Sequence, residues 1–133
     1  IDVVVSKSIE GVGENKDIKE INDDEIILDI GLKTISLIKK IINDSNTVLW
    51  NGPAGYFENP SFQTGTKEIL EIISQKTIND KIFSVAGGGE TVAAINKFKK
   101  LDSFTFVSTA GGAFLEYLEG KTLPGIKALN QNV

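Results

Sequence analysis

Three glycine-bearing loops hold the residues best suited to chemistry: Trp50-Asn51-Gly52-Pro53-Ala54-Gly55-Tyr56-Phe57-Glu58, then Gly87-Gly88-Gly89-Glu90-Thr91, then Ala110-Gly111-Gly112. Glycine lets a backbone approach an anion closely, and the free amides at a helix start point at it, with the helix dipole adding ~0.3 to 1 kcal/mol. The second and third loops each open a helical pattern, so side by side they could hold an oligophosphate. A tight strand-to-helix turn would also use glycine, but two clusters in one register favour the anion reading. Neither is a Walker A loop, since no Gly-Lys-Ser/Thr follows, and neither matches the GxGxxG dinucleotide fingerprint with its downstream acidic residue.

The first loop mixes turn residues, aromatics and a carboxylate. Gly55 and Tyr56 could line an apolar slot for a base while Glu58 accepts hydrogen bonds from ribose hydroxyls. A packed loop with a solvated Glu58 fits the spacing equally well. Glu90 stands where a helix starts beside the candidate phosphate site, a place suited to Mg²⁺ held by one carboxylate plus phosphate oxygens. It would also serve simply as a favourable charge at a helix N-terminus.

Composition narrows the chemistry. The 133 residues contain no His and no Cys, and all 14 basic residues are Lys. Imidazole bases, thiolates, disulfides and Cys/His zinc sites are thereby excluded, and with them the planar Arg fork that clamps carboxylates and phosphates. Carboxylates, Lys, hydroxyls and backbone amides remain. A net charge of -4 argues against a nucleic-acid partner. No run approaches the ~18 apolar residues of a membrane span, so no membrane partner and a cytoplasmic location are expected. There is no Met anywhere, and the opening Ile1-Asp2-Val3-Val4-Val5 reads as a strand already in progress, so the chain is expected to be a fragment.

The elements that must position these loops are legible as periodicities. Thr47 to Trp50, Ile82 to Ala86 and Phe104 to Ser108 are apolar, β-branched strand candidates. Val3 to Val5 is a further one, and Ile26 to Ile30 is either a strand or a buried loop. Their near-continuous hydrophobicity predicts strands covered on both faces, as in parallel sheets. Ile35, Ile38, Ile41 and Ile42 follow helical spacing, as do Ile69, Ile72, Ile73 and Lys76. Asn59 and Pro60 are expected to start the second of these helices. Shorter helices are predicted over Thr91 to Lys99 and Ala113 to Glu119, with Gly120 as a stop. Ser6 to Glu25 reads as a polar surface excursion. The fold class expected is therefore α/β, a parallel sheet with helices on both faces, with ligands at the carboxyl ends of the strands.

Taken together, the loops resemble phosphoglycerate kinase. Trp50 to Glu58 is similar to that family's WNGP-x-G-x-FE segment, and Gly65-Thr66 to the Gly-Thr that follows it. Gly87 to Thr91 resembles GGGD[ST], and Val107 to Leu118 resembles VSTGGGA-x-LE-x-L, followed by Glu119-Gly120-Lys121 and Leu123-Pro124-Gly125. Leu28-Asp29-Ile30-Gly31 belongs to the same likeness, which covers essentially the whole chain. Glu90 stands where the family usually has Asp, Ala110 where it has Gly, and Ile27 where many members have Gly.

The resemblance implies a Rossmann-like nucleotide-binding lobe, here incomplete, with residues 1–133 as its C-terminal portion and the acid-substrate lobe absent. It implies reversible phosphoryl transfer between 1,3-bisphosphoglycerate and ADP, giving 3-phosphoglycerate and ATP, with Mg²⁺. Carried over, Glu58 would hold the ribose, Gly55 and Tyr56 would approach the nucleoside, and Asn51 and Pro53 would lie near the phosphates. Gly88, Gly89, Glu90 and Thr91 would bind the nucleotide phosphates, with Glu90 at the metal. The backbone amides of Gly111 and Gly112 would stabilise the transferring phosphoryl group. The family's Arg-rich acid-substrate patch and the Lys-bearing first strands of the nucleotide lobe are missing from these residues. The complete enzyme is expected to be a monomer, while the piece alone is expected to be inactive and, with an unpaired strand edge and apolar surface exposed, either to self-associate or to need its missing half. The alternative is a non-catalytic nucleotide-binding or interaction module that reuses this lobe.

Overall fold

Strand β1 (Asp2–Ser6) carries the valine run and pairs antiparallel with both β2 (Glu14–Asp17) and β3 (Ile26–Ile30), in the order β2-β1-β3. A computed structural model describes residues 1–130, and residues 131–133, the end of the span assigned to the lobe, lie outside the described residues. The polar excursion thus contains a strand, and Ile26 to Ile30 is a strand as well. The antiparallel sheet corrects the expectation of strands covered on both faces: Ile26 and Ile27 stay 46% and 56% exposed. Antiparallel sheets commonly leave one side to solvent.

Helix α1 (Leu32–Asn43) buries Ile35 and Ile42, while Ile38 packs at the core's margin and Ile41 faces outward. Its N-cap position, Gly31, has no side chain to offer. The cap comes from β1 instead. The buried Asp2 carboxylate accepts from the amides of Lys33 at 3.0 Å and Thr34 at 2.8 Å, from the Thr34 hydroxyl at 2.8 Å and from Asn15 Nδ2 at 3.1 Å. A Cβ on residue 31 would sit 2.3 Å from Asp2 Cγ, which is why glycine stands there. Burial by itself would push the Asp2 carboxyl up. The four donors outweigh it and hold the group far below the ordinary 3.8.

The second sheet is parallel, β4 (Thr47–Asn51), β5 (Phe83–Gly87) and β6 (Phe106–Ser108), in that order across the sheet. Helices flank it, as the sequence predicts. Helices α2 (Thr64–Asn79) and α3 (Gly89–Lys97) bring Ile69, Leu70, Ile73, Ala94 and Ile95 into one core with Trp50 and Ala86. Crossovers of one hand repeated in one direction place both helices on the same face. Trp50 stacks on Phe104 with ring centroids 6.1 Å apart. The opposite face carries Leu49, Phe83 and Phe106, each at least half exposed, and Phe114 of α4 (Gly112–Leu118) reaches it over Gly87. Among the described residues β4 pairs with β5 alone, so its other edge is open.

The start of α2 differs from expectation. Asn59 does act as a cap, accepting from the Ser61 amide at 2.9 Å, but what it caps is a short 3-10 turn at Pro60–Phe62. Helix α2 proper begins at Thr64, because its start is capped from β3: Asp29 Oδ2 accepts the Gly65 amide at 2.8 Å. A final helix, α5 (Pro124–Asn130), is not among the predicted elements; it opens on a proline and keeps Ile126 and Leu129 exposed. No helix among the described residues is long and apolar enough to cross a membrane.

Candidate functional site

The register aligns Asn51, Gly87 and Ser108, so the three glycine-bearing loops leave the parallel sheet in one row at its carboxyl edge. Gly89 and Gly112 are the first residues of α3 and α4, so these helices start inside the glycine clusters, two residues and one residue before the expected Thr91 and Ala113. By helix geometry the first-turn amides of each have no intrahelical acceptor. Gly89, Glu90 and Gly112 are exposed there. Gly88 and Gly111 precede them with φ of +95° and +57°, a region open mainly to glycine.

The first loop lies along α3. At the near end the Gly52 amide donates to Thr91 Oγ1 at 2.6 Å, and a Cβ on Gly88 would come within 2.6 Å of Asn51 Oδ1. At the far end Lys97 Nζ donates to the Phe57 carbonyl and, at 3.2 Å, to that of Glu58, its charge 5.6 Å from the Phe57 ring centroid. The structure therefore brings Asn51, Gly88 and Thr91 together. It sets exposed Glu58 at the opposite end of the same helix, with half-buried Pro53 between. Thr91 is fully buried, and its hydroxyl oxygen already accepts a bond from within the protein.

Gly55 has an unexpected neighbour. A Cβ there would meet Asp29 Oδ1 at 2.4 Å and the Phe62 carbonyl at 2.7 Å, so the missing side chain makes room for a carboxylate. Tyr56 is 39% exposed, and its amide donates to the Leu28 carbonyl at 2.7 Å. Gly111 and Gly112 have open space around them, and Phe114 lies over Gly87, a contact between their helix and the second loop.

Three residues without an assigned role in the sequence reading turn out to hold the site. Thr66 Oγ1 accepts from the amides of Ala54 at 3.1 Å and Gly55 at 3.3 Å. Asp29 is 3% exposed and accepts from the Gly65 and Ile30 amides, each at 2.8 Å. Burial pushes its carboxyl above the ordinary value, and the amides of Gly65, Ile30 and Thr64 counter part of that. Lys97 is the third. Thr66 and Asp29 lie within motif segments, so their presence was readable, but the Gly55 and Gly65 amides they accept from are 11 and 36 residues away. Lys97 carries no local signal at all.

Chemically, the row offers backbone donors at two helix starts, one exposed carboxylate in the first turn of α3 and an exposed carboxylate beyond an aromatic loop. No group of three or more acidic, His or Cys side chains arranged for a metal occurs among the described residues. Glu90, an exposed carboxylate in the first turn of α3, could give a cation one ligand, the rest coming from water and ligand oxygens.

A family model described as phosphoglycerate kinase matches residues 1–121. The phosphoglycerate kinases of Chelativorans sp. (strain BNC1) and Blochmanniella floridana are 43% and 46% identical to this chain, over 98% of it in both cases. The chain spans about a third of their length, 33% and 32%. Among solved structures, phosphoglycerate kinase from Coxiella burnetii superposes with a TM-score of 0.88 at 41% identity, covering 98% of this chain and 33% of that one. The enzyme from Pyrococcus horikoshii OT3 gives a TM-score of 0.79 at 32% identity, covering 97% and 31%.

Proposed function

Because this chain belongs to the phosphoglycerate kinase family, we propose that it supplies the nucleotide side of a phosphoryl transfer between 1,3-bisphosphoglycerate and ADP, yielding 3-phosphoglycerate and ATP. It would act as the C-terminal third of that enzyme, in the cytoplasm. The observation that carries this reading is the row of Asn51, Gly87 and Ser108, from which three glycine-bearing loops run to one edge of the sheet.

In this reading the amides opening α3, at Gly89 and Glu90, bind the nucleotide phosphates, with Gly88 turning the backbone toward them. Asn51 and Pro53 flank the phosphates, Gly55 and Tyr56 line the nucleoside, and Glu58 accepts from the ribose hydroxyls. Thr91 contributes by fixing Gly52, since its hydroxyl points into the protein. The amides at Gly111 and Gly112 face charge that develops on the transferring phosphoryl group, where fixed donors cost no reorganisation. Glu90 would hold Mg²⁺ together with phosphate oxygens, and the ion would neutralise charge on the phosphates. None of these steps needs the His, Cys or Arg that the chain lacks.

Calorimetry with MgADP tests the nucleotide site directly: measurable binding is expected, and none would sink the reading. The 133-residue chain by itself is expected to show no turnover in a coupled ATP assay, since the acid substrate has no Arg-rich site here; robust turnover would contradict that. We also expect the bare sheet face to drive self-association of the isolated chain. Light scattering should then show oligomers for the unmodified chain and a shift to monomer for Phe83→Lys combined with Phe106→Lys. A monomeric unmodified chain would refute this.

A further inference from the structure

We propose that Thr66 and Asp29 are positioning residues for the nucleotide, holding residues 54–56 in the conformation that receives the nucleoside without touching it themselves. The inference rests on the nucleotide-binding reading above and adds two residues to it. Thr66 is fully buried in the first turn of α2, where a threonine hydroxyl ordinarily serves its own helix or solvent. Here its oxygen instead accepts from two consecutive loop amides, Ala54 and Gly55. Consecutive N–H groups aimed at one acceptor define the local backbone more narrowly than either bond alone.

Asp29 closes the bracket from the other side. Its Oδ2 accepts the amide of Gly65, next to Thr66, and so sets where the α2 start lies relative to β3. The same carboxylate fills the space beside two glycines, since a Cβ on Gly55 or on Gly65 would come within 2.4 Å or 2.3 Å of Asp29 Oδ1. Beyond Gly55, the Tyr56 amide donates to the Leu28 carbonyl, so the loop is bonded to the strand that carries Asp29. Three loop amides in succession are thus held by β3 and α2 before any ligand arrives. A loop ordered in advance does not pay its ordering entropy on binding, and the gain appears as affinity.

The test uses the intact gene product with Thr66→Val, which removes the acceptor, Thr66→Ser, which keeps it, and Asp29→Asn. Amide hydrogen exchange without ligand and calorimetry with MgADP and with inorganic tripolyphosphate are measured for each. Thr66→Val and Asp29→Asn should speed exchange at residues 54–56 and weaken MgADP by about tenfold or more. Tripolyphosphate, which needs only the α3 start, should change less than about threefold, and Thr66→Ser should restore both readouts. A merely structural role predicts equal losses for the two ligands, and that result overturns the proposal. So does MgADP binding by folded Thr66→Val that equals the unmodified protein. If Thr66→Val fails to fold, Asp29→Asn and Thr66→Ser decide by the same criteria. Failure of the unmodified protein to bind MgADP is a different outcome: it overturns the nucleotide reading itself, and the proposal with it.

Discussion

Asp2→Ala should lower the unfolding free energy by about 3 kcal/mol and the melting temperature by on the order of 10 °C, although residue 2 lies at the very start of the described chain. The reason is that one carboxylate serves as the N-cap of a helix thirty residues away. Its removal takes the acceptor from the part-buried amides of Lys33 and Thr34 and from the Asn15 side chain, and leaves the Thr34 hydroxyl only the Asp2 carbonyl. Loss of an ordinary cap costs ~1 kcal/mol, and each charge-assisted bond or stranded donor adds ~1 to 3 kcal/mol, not fully additively. A change below about 1 kcal/mol in urea or thermal unfolding would show that the cap is dispensable.

The same residue predicts a pH dependence. The folded pKa of Asp2 is depressed below 3.8, so its stabilisation is complete above about pH 4 and is lost as pH falls toward the folded value. Asp29 has the opposite sign. Its raised folded pKa means that its contribution is fully present below 3.8 and is lost as pH rises through the folded value. Urea midpoints measured downward from pH 7 should therefore gain slightly from Asp29 before they fall through Asp2. Asp2→Asn should flatten only the acid limb, and an unchanged acid limb in that variant would contradict the assignment.

Gly88→Ala should weaken MgADP by roughly 10- to 100-fold. A backbone at φ +95° costs a residue bearing a Cβ ~1 to 3 kcal/mol, and here the new carbon also meets Asn51 Oδ1 at 2.6 Å. Relief comes from the exposed Asn51 side chain turning away or from the α3 start moving off the Asn51–Gly52 turn, and either changes how the first loop meets the α3 start. Gly89→Ala separates strain from access. Its φ is not in the left-handed region and no atom lies within 4 Å of the added carbon, so stability should hold, and any lost affinity reports a blocked anion. Gly88→Ala binding MgADP as tightly as the unmodified chain would remove the α3 start from the site.

Much of this was legible along the chain because the signals are local. Gly88 and Gly89 after an apolar strand, Gly111 and Gly112 after another, and the 3.6-residue spacing of Ile35, Ile38, Ile42 and of Ile69, Ile72, Ile73 depend only on near neighbours. They determined the α/β class, the parallel strands and the placing of glycine loops at the carboxyl edge of that sheet. Composition alone removed His, Cys and Arg chemistry. Local patterns cannot say which strand pairs with which, so the antiparallel sheet of β1, β2 and β3 emerged only in three dimensions. Nor do they say where a side chain spends its hydrogen bonds. Asp2 as the cap of α1, Asp29 at the start of α2, Thr66 under Gly55 and Thr91 under Gly52 join residues 11 to 39 positions apart. Each is a buried polar group that must find a partner, and only the packed fold decides which one it finds.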